Sequence, residues 1–466
     1  ADVYPLAPLQ EGLLFHHLLA EGEEDTYVAS AVLEFDSAER VDSFAGALQQ
    51  VLDRHDIFRT AIVWEGLSQP LQVVWRHAEL PVTEVTLDPE AADPVAELPA
   101  VVGRTMDVRR APLLGLHVAT AADGRHLVLL RLHHLVQDHT TVEVLLSEIG
   151  AFMGGRGAEL PQPLPFRDAV VQTRAGLADG GHDQYFAGLL GDVTEPTAPF
   201  GLLNTREPGM DTAETEVRIA PDLERRLRRI ARKVGASPAT VMHVAWARVL
   251  AAVSGRDDVV FGTVLFGRMG ADADEARVLG PFMNMLPVRV KTGQLGVLEA
   301  VGAMRSQLAA LMEHEHAPLA VAQNASGVEG ETPLFASMFN YRHNDRSVSK
   351  SGALFDGVEL RLYRELTNYP IAVNLDDDED GMRLTVDAAA PANPRQVGTL
   401  LTTATRNLLD ALERAAAGGP EVALDAVEVL DAAERRRVLV EWNDTAVEGD
   451  ASSLPGLFEA QVARTP

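Results

Sequence analysis

The chain has 466 residues, 46% of them hydrophobic, enough for about two or three domains with proper cores. Its 40 Lys and Arg against 68 Asp and Glu give a formal net charge of -28, which disfavours nucleic acid and anionic membrane surfaces as partners. With no cysteine, disulfides, thiol nucleophiles and thiolate metal sites are excluded. No signal peptide and no run of about 18 apolar residues is present, so the cytoplasm is the expected compartment. The chain opens at Ala1 and stops at Thr465-Pro466 inside a helical pattern, as expected of a piece of a longer polypeptide.

Residues 9–19 read as a first helix and 27–35 as an alternating strand. Residues 41–54 form a helix with Phe44, Leu48, Val51 and Leu52 on one face. Strands follow near 58–63 and 71–75. The run 126–132 is almost continuously apolar, the pattern of a strand buried on both faces. Val142, Leu145, Leu146, Ile149 and Phe152 then mark a helix over 140–153, with Thr140 as N-cap and Glu143 reaching back in a capping box. Pro161, Pro163 and Pro165 break the pattern. Two shorter helices and a Pro-, Gly- and Thr-rich stretch, 195–210, mark the region of a lobe boundary.

A second series begins with a strand at 214–219 and a helix opened by Pro221. Ser237 caps a further helix through Trp246. A strand at 259–265, a helix at 298–312, a hairpin over 369–386 and a helix at 397–415 complete it. Residues beyond about 421 are linker-like. The expectation is two α+β halves: an N-terminal lobe over 1–178, a C-terminal lobe over 179–430, and a linker from 431 to 466.

The segment His133-His134-Leu135-Val136-Gln137-Asp138-His139 joins a strand end to a helix start. Neighbouring residues at a strand end point to opposite sides, so only one of His133 and His134 faces a given cavity. One histidine titrating near neutrality can hold or move a proton while Asp138 orients the loop. The alternatives are a buried polar turn with Asp138 bound to an arginine, or zinc held by His134, Asp138 and His139, whose spacing lacks the helical i, i+4 histidine pair. Asp376, Asp378, Asp380, Gly381 and Asp387 match several calcium-loop positions, but Arg383 stands where an apolar residue is wanted and the flanks read as strands. A hairpin turn explains them better. His16-His17 beside Leu13 and Leu14 reads as partly buried and structural. No phosphate loop and no Gly-x-Ser-x-Gly elbow is present.

His133-His134-x-x-x-Asp138 resembles the active-site signature of condensation domains of nonribosomal peptide synthetases. Further stretches resemble that family's motifs in order. They are Tyr4 to His16, Arg54-His55-Asp56-Ile57-Phe58-Arg59-Thr60, Phe166-Arg167-Asp168, Leu279-Gly280-Pro281-Phe282-Met283-Asn284 through Arg289, and Leu334-Phe335 to Asn340-Tyr341-Arg342-His343. The resemblance covers roughly residues 2–430. Glu441-Trp442-Asn443-Asp444-Thr445 and the last ten residues resemble the linker and opening helix of a following adenylation domain.

The resemblance implies two chloramphenicol-acetyltransferase-like lobes forming a V-shaped pseudodimer, with a tunnel between them. It implies amide-bond formation between an upstream peptidyl thioester and a downstream aminoacyl thioester, both carried on the phosphopantetheine of carrier proteins. No cofactor bound directly and no metal is expected. His134 takes the catalytic role, as base or as positioning group. His133 and Asp138 hold the loop, Asp138 by pairing with Arg289 of the other lobe. Arg59, Gly280, Asn284, Tyr341, Arg342 and His343 are motif or tunnel positions. Phe266, Met269 and Asn374 are plausible tunnel-wall positions. The opening motif and Asn340-Tyr341-Arg342-His343 resemble domains taking a donor that ends in a D-residue or glycine, joined to an L-aminoacyl acceptor. One departure stands out: His139 occupies the place where the family signature usually has glycine. A non-catalytic platform recruiting carriers or a tailoring enzyme is the alternative. The paired histidines speak against heterocyclisation, and the adenylation-like tail against epimerisation.

Overall fold

A computed structural model describes residues 2–19, 25–176, 181–203, 212–267, 278–329, 332–343, 352–378, 381–446 and 453–465. Two six-stranded mixed sheets organise it. The first runs, edge to edge, Gly352–Phe355, Val358–Arg364, Val28–Phe35, His126–His133, Leu114–Thr120 and Val82–Glu84. The second runs Asn284–Lys291, Asp258–Leu265, Ser337–His343, Ile371–Asp378, Gly381–Ala389 and Thr212–Arg218. A small antiparallel sheet joins Asp2–Pro5, Leu71–Val74 and Thr60–Val63.

The apolar run at 126–132 is explained by its place in the first sheet. Val128, Leu130 and Leu132 enter the main core of the first lobe. Leu127 and Leu129 enter a smaller core on the opposite face, with Leu98 and Leu87. Both faces are dry, so alternation is lost. Helix Ala38–Arg54 lays Val41, Phe44, Leu48, Val51 and Leu52 on the main core, and Ser37 caps it by accepting from the Arg40 N–H.

One connection departs from the expected division at residue 178. Strands Gly352–Phe355 and Val358–Arg364 come from the second half of the chain but are hydrogen-bonded into the first sheet. Val358–Arg364 lies antiparallel to Val28–Phe35, pairing Arg364 with Ser30. Val358 and Leu360 are buried in the first-lobe core. The lobes are therefore not contiguous in sequence.

In the second lobe, helices Pro238–Ser254 and Pro394–Ala416 pack around the fully buried Trp246, and Leu424, Val427 and Val429 close the core. Pro287 sits within strand Asn284–Lys291, which is tolerated because that strand is a sheet edge and needs no second ladder. Beyond residue 430 the side chains are mostly exposed, among them Leu439, Trp442, Leu454 and Phe458. No single helix among the described residues is long and apolar enough to cross a membrane.

His243 is buried on Pro238–Ser254. Its Nδ1–H donates to the Ala239 carbonyl at 2.7 Å, and Nε2 accepts from the Thr263 hydroxyl at 2.8 Å. Burial pushes this imidazole down to about 4, with the Ala239 carbonyl pulling the other way. The unfolded ring takes a proton near pH 6.5. As pH falls from there toward 4, the unfolded chain gains a proton the folded chain refuses, so stability falls. His243→Gln is expected to flatten the acid limb of a melting-temperature profile between pH 6.5 and 4. An unchanged slope refutes the assignment.

Candidate active site

The strand His126–His133 ends in a short turn, His134–Val136, and helix His139–Met153 follows at once. Adjacent residues diverge, and the two histidines go to different partners. His133 is fully buried. Its Nδ1 accepts from the Leu135 N–H at 3.0 Å, which leaves the proton on Nε2, donated to Asp25 Oδ2 at 2.9 Å. His17 Nδ1 lies 2.5 Å from the same oxygen, and Asp25 Oδ1 accepts from the Tyr27 N–H. Burial raises the Asp25 carboxyl, but the hydrogen bonds from His133 and His17 outweigh it and hold it well below the usual carboxylate range. Burial in turn pushes the His133 imidazole down.

His134 faces the other way. Its backbone N–H donates to the Tyr27 carbonyl at 2.9 Å. The Gln137 amide nitrogen donates to Nδ1 at 3.0 Å, and Nε2 lies 3.0 Å from Glu365 Oε1. Glu365 directly follows Val358–Arg364, so the exchanged segment completes the site. Tyr363 donates its hydroxyl to Glu365 Oε2 at 3.1 Å. Nearby, Arg342 makes a bidentate pair with Asp376, at 2.6 and 3.0 Å. Burial would raise the Glu365 carboxyl, but His134 and Arg342 hold it below its ordinary value.

Asp138 is the N-cap of His139–Met153. Its Oδ1 accepts from the Thr141 N–H and hydroxyl, both at 2.7 Å, and Oδ2 accepts from the Phe282 N–H at 3.2 Å. The expected Asp138–Arg289 pair is not formed. Arg289 instead holds Asp258 at 2.6 and 2.9 Å, Asp192, and the Leu189 carbonyl. The expected Thr140 cap is displaced by two residues: Asp138 takes the cap by accepting the Thr141 N–H, and Thr140 lies inside the first turn of the helix. Glu143 is turned toward His139, whose Nε2 lies 3.4 Å from its Oε1, so the residue in glycine's place lies along its own helix. His134, Asp138 and His139 therefore do not converge on a metal.

The other motifs brace this loop. Arg54 and His55 bind Glu148 of the same helix at 3.1 and 2.9 Å. Asp56 accepts from the Phe166 N–H at 3.2 Å, and Phe166 packs edge-on to Phe282. Gln10 of the opening motif donates to the Leu135 carbonyl at 2.8 Å. Gly280 N–H donates to the Thr141 hydroxyl at 3.0 Å. Asn284 holds the carbonyls of Glu315 and Ala317. Arg59 gives its donors to the carbonyls of Leu52, Trp75 and Arg76, away from the histidines. Tyr341 and His343 both reach Asp377, and Asn340 donates to Asn374. The paired strands Ile371–Asp378 and Gly381–Ala389 form the expected hairpin, with Asp376 and Asp377 engaged by these side chains. Phe266 is half-buried; Met269 lies outside the described residues.

Asp25, Gln137 and Glu365 were not legible as site residues. Asp25 looks like part of an acidic loop, and Glu365 lies 231 positions from His134. The only metal-ligand group among the described residues is His17, Asp25 and His133, whose donor atoms lie within 4.8 Å of one another. The hydrogen-bonded triad uses those same atoms, so a cation there must displace its protons.

The condensation-domain family profile matches residues 1–439. The chain belongs to the condensation-domain family. Malpinin synthetase of Mortierella alpina is 41% identical over 469 residues, covering 100% of this chain and 6% of the synthetase. A linear gramicidin synthase of Brevibacillus parabrevis is 30% identical over 486 residues, covering 100% and 9%. The condensation domain thus spans under a tenth of the length of these relatives. Among solved structures, the condensation domain of the Monacolin K polyketide synthase MokA matches at TM-score 0.68 and 21% identity, over 89% of this chain and 98% of that one. The first condensation domain of the calcium-dependent antibiotic synthetase, bound to a substrate analogue, matches at 0.68 and 19%, over 92% and 100%. At these identities the likeness is one of fold. The expected α+β class with chloramphenicol-acetyltransferase-like lobes holds. Condensation domains of nonribosomal peptide synthetases form amide bonds, working with carrier proteins and adenylation domains, and this chain is an enzyme of that class.

Two outcomes check the loop's bracing. Asp138→Ala removes a helix cap and a bond to Phe282, for an expected loss of about 1–2 kcal/mol in urea unfolding. Its coupling to Arg289→Ala in a double-mutant cycle is expected within about 0.5 kcal/mol of zero, whereas a direct ion pair gives a larger value. Gly280 has φ 146°, and a Cβ there would stand 2.3 Å from the Phe166 ring. Gly280→Ala is therefore expected to lower stability by about 1–3 kcal/mol, read by the same unfolding measurement.

Proposed function

We propose that this domain joins a peptidyl thioester ending in a D-residue or glycine to an L-aminoacyl thioester. An upstream carrier protein presents the donor on phosphopantetheine and a downstream carrier presents the acceptor. The acceptor nitrogen forms the new C–N bond, the C–S bond breaks, and the upstream carrier leaves as its thiol with net release of one proton. Two tethered reactants meeting at one histidine gain much of their rate from positioning. The observation that carries this reading is His134, fixed on both ring nitrogens at the end of a buried strand, with a carboxylate of the other half of the chain against it. Residues 431–466 lead to an adenylation domain, and the assembly works in the cytoplasm without nucleic acid or membrane.

The test loads both carriers, mixes them with the domain, and follows dipeptidyl thioester by mass spectrometry. Wild type is expected to form product, and His134→Ala to be slower by about a hundredfold or more. A donor ending in an L-residue is expected to react more slowly than its D-counterpart. No product from wild type with either donor overturns the catalytic reading and leaves a platform that only binds carriers or a tailoring enzyme. The X-domain of teicoplanin biosynthesis, solved in complex with OxyB, shares the fold at TM-score 0.71 and 19% identity, over 92% of this chain and 97% of that one.

A further inference from the structure

We propose that Glu365 is the docking group for the α-ammonium of the acceptor, and that its arrival releases the Nε2 edge of His134. The inference rests on the peptide-bond-forming reading and names how that site recognises its nucleophile.

Three observations carry it. The first is topological. Val28–Phe35 lies between His126–His133 and Val358–Arg364, pairing Val28 with His133 on one side and Ser30 with Arg364 on the other. The residue after Arg364 therefore emerges at the same end of the sheet as the two histidines. The chain crosses from one lobe to the other and places a carboxylate there.

The second is the state of the ring. The Gln137 amide donates to Nδ1, so the neutral imidazole carries its proton on Nε2 and donates it to Glu365. In that state His134 has no lone pair free for a substrate. An ammonium brings three N–H donors, so it can take over the carboxylate oxygen that Nε2–H now occupies. Exchange of one donor for another leaves no buried charge unpaired and frees Nε2–H as a donor beside the docked acceptor, whose ammonium must still lose a proton before its nitrogen attacks.

The third is access. The Glu365 side chain is 34% exposed and that of His134 only 10%, so an entering cation meets the carboxylate first. The groups around Glu365 are His134, the Tyr363 hydroxyl, and Arg342 with its partner Asp376. Tyr27 packs edge-on to His134, with His16 behind it. Burial and the Glu365 charge push the Tyr363 phenol up. Burial pulls the Arg342 guanidinium down, but Asp376 outweighs it. Neither group changes charge between pH 7 and 9, where an α-amine with pKa near 8 loses its proton.

The probe is glycyl-aminopantetheine, in which an amide replaces the thioester so that no reaction follows. Its neutral control is the glycolyl analogue, with hydroxyl in place of ammonium. Binding to the whole domain is read by calorimetry. Wild type at pH 7 is expected to favour the ammonium probe by about ten- to hundredfold. That preference is expected to fade as pH rises from 7 to 9. Glu365→Gln keeps the size and an acceptor oxygen and is expected to bind both probes alike, with no pH dependence. Glu365→Asp, which keeps the charge, is expected to recover part of the preference. Equal binding of the two probes by wild type overturns the proposal, as does a preference that survives in Glu365→Gln. If Glu365→Gln does not fold, the wild-type pH series decides: a preference constant from pH 7 to 9 overturns the proposal. Because the probe does not react, failure here is distinct from failure to form dipeptidyl thioester.

Discussion

Everything at this active site depends on the backbone hydrogen bonds that dock residues 358–364 against the strand Val28–Phe35. Those bonds are sequence-independent in kind, but their register is fixed by the burial of Val358 and Leu360 in the first-lobe core. A slip of one residue would turn both apolar side chains to the wrong face and carry Glu365 away from His134. His134 comes from one lobe and its carboxylate neighbour from the other half of the chain, so packing of a hydrophobic core sets the distance between two polar groups.

A second connection ties the lobes from the opposite side. The first turn of helix His139–Met153 would leave unsatisfied N–H groups. Asp138 satisfies part of that need, and it and Thr141 also bind residues 282 and 280, in a segment that packs on the first-lobe core and leads into strand Asn284–Lys291 of the second sheet. The polar chemistry of starting a helix is thereby used to hold two lobes in one arrangement. Arg54 and His55 hold the same helix further along through Glu148, and Gln10 holds the turn before it. The loop carrying His134 is restrained from several directions.

Much of this was legible. The apolar run before His133 and the periodic helix after Asp138 placed the histidines at a strand-to-helix junction, because burial on two faces and on one face leave different patterns. The Asp138–Arg289 pair failed because a carboxylate just ahead of a helix has a nearer claim, the free N–H groups of the first turn, and Arg289 has two carboxylates close by in its own lobe. The capping box at Thr140 failed for the same reason. Glu365 stayed hidden because no local period reveals a strand that pairs across lobes. Asp25 stayed hidden because a carboxylate inside an acidic loop reads as solvated until two histidines are found pointing at it.

The exchanged strand also has a consequence for how the protein is made. A ribosome finishes the first 178 residues long before residues 358–365 exist. Until then Val28–Phe35 is the outermost strand of its sheet, with one row of backbone groups unpaired and an almost wholly apolar sequence. Such an edge invites pairing with other chains. The nascent first lobe therefore depends on a late segment for protection, and the same segment that brings Glu365 to His134 is the one that closes that edge.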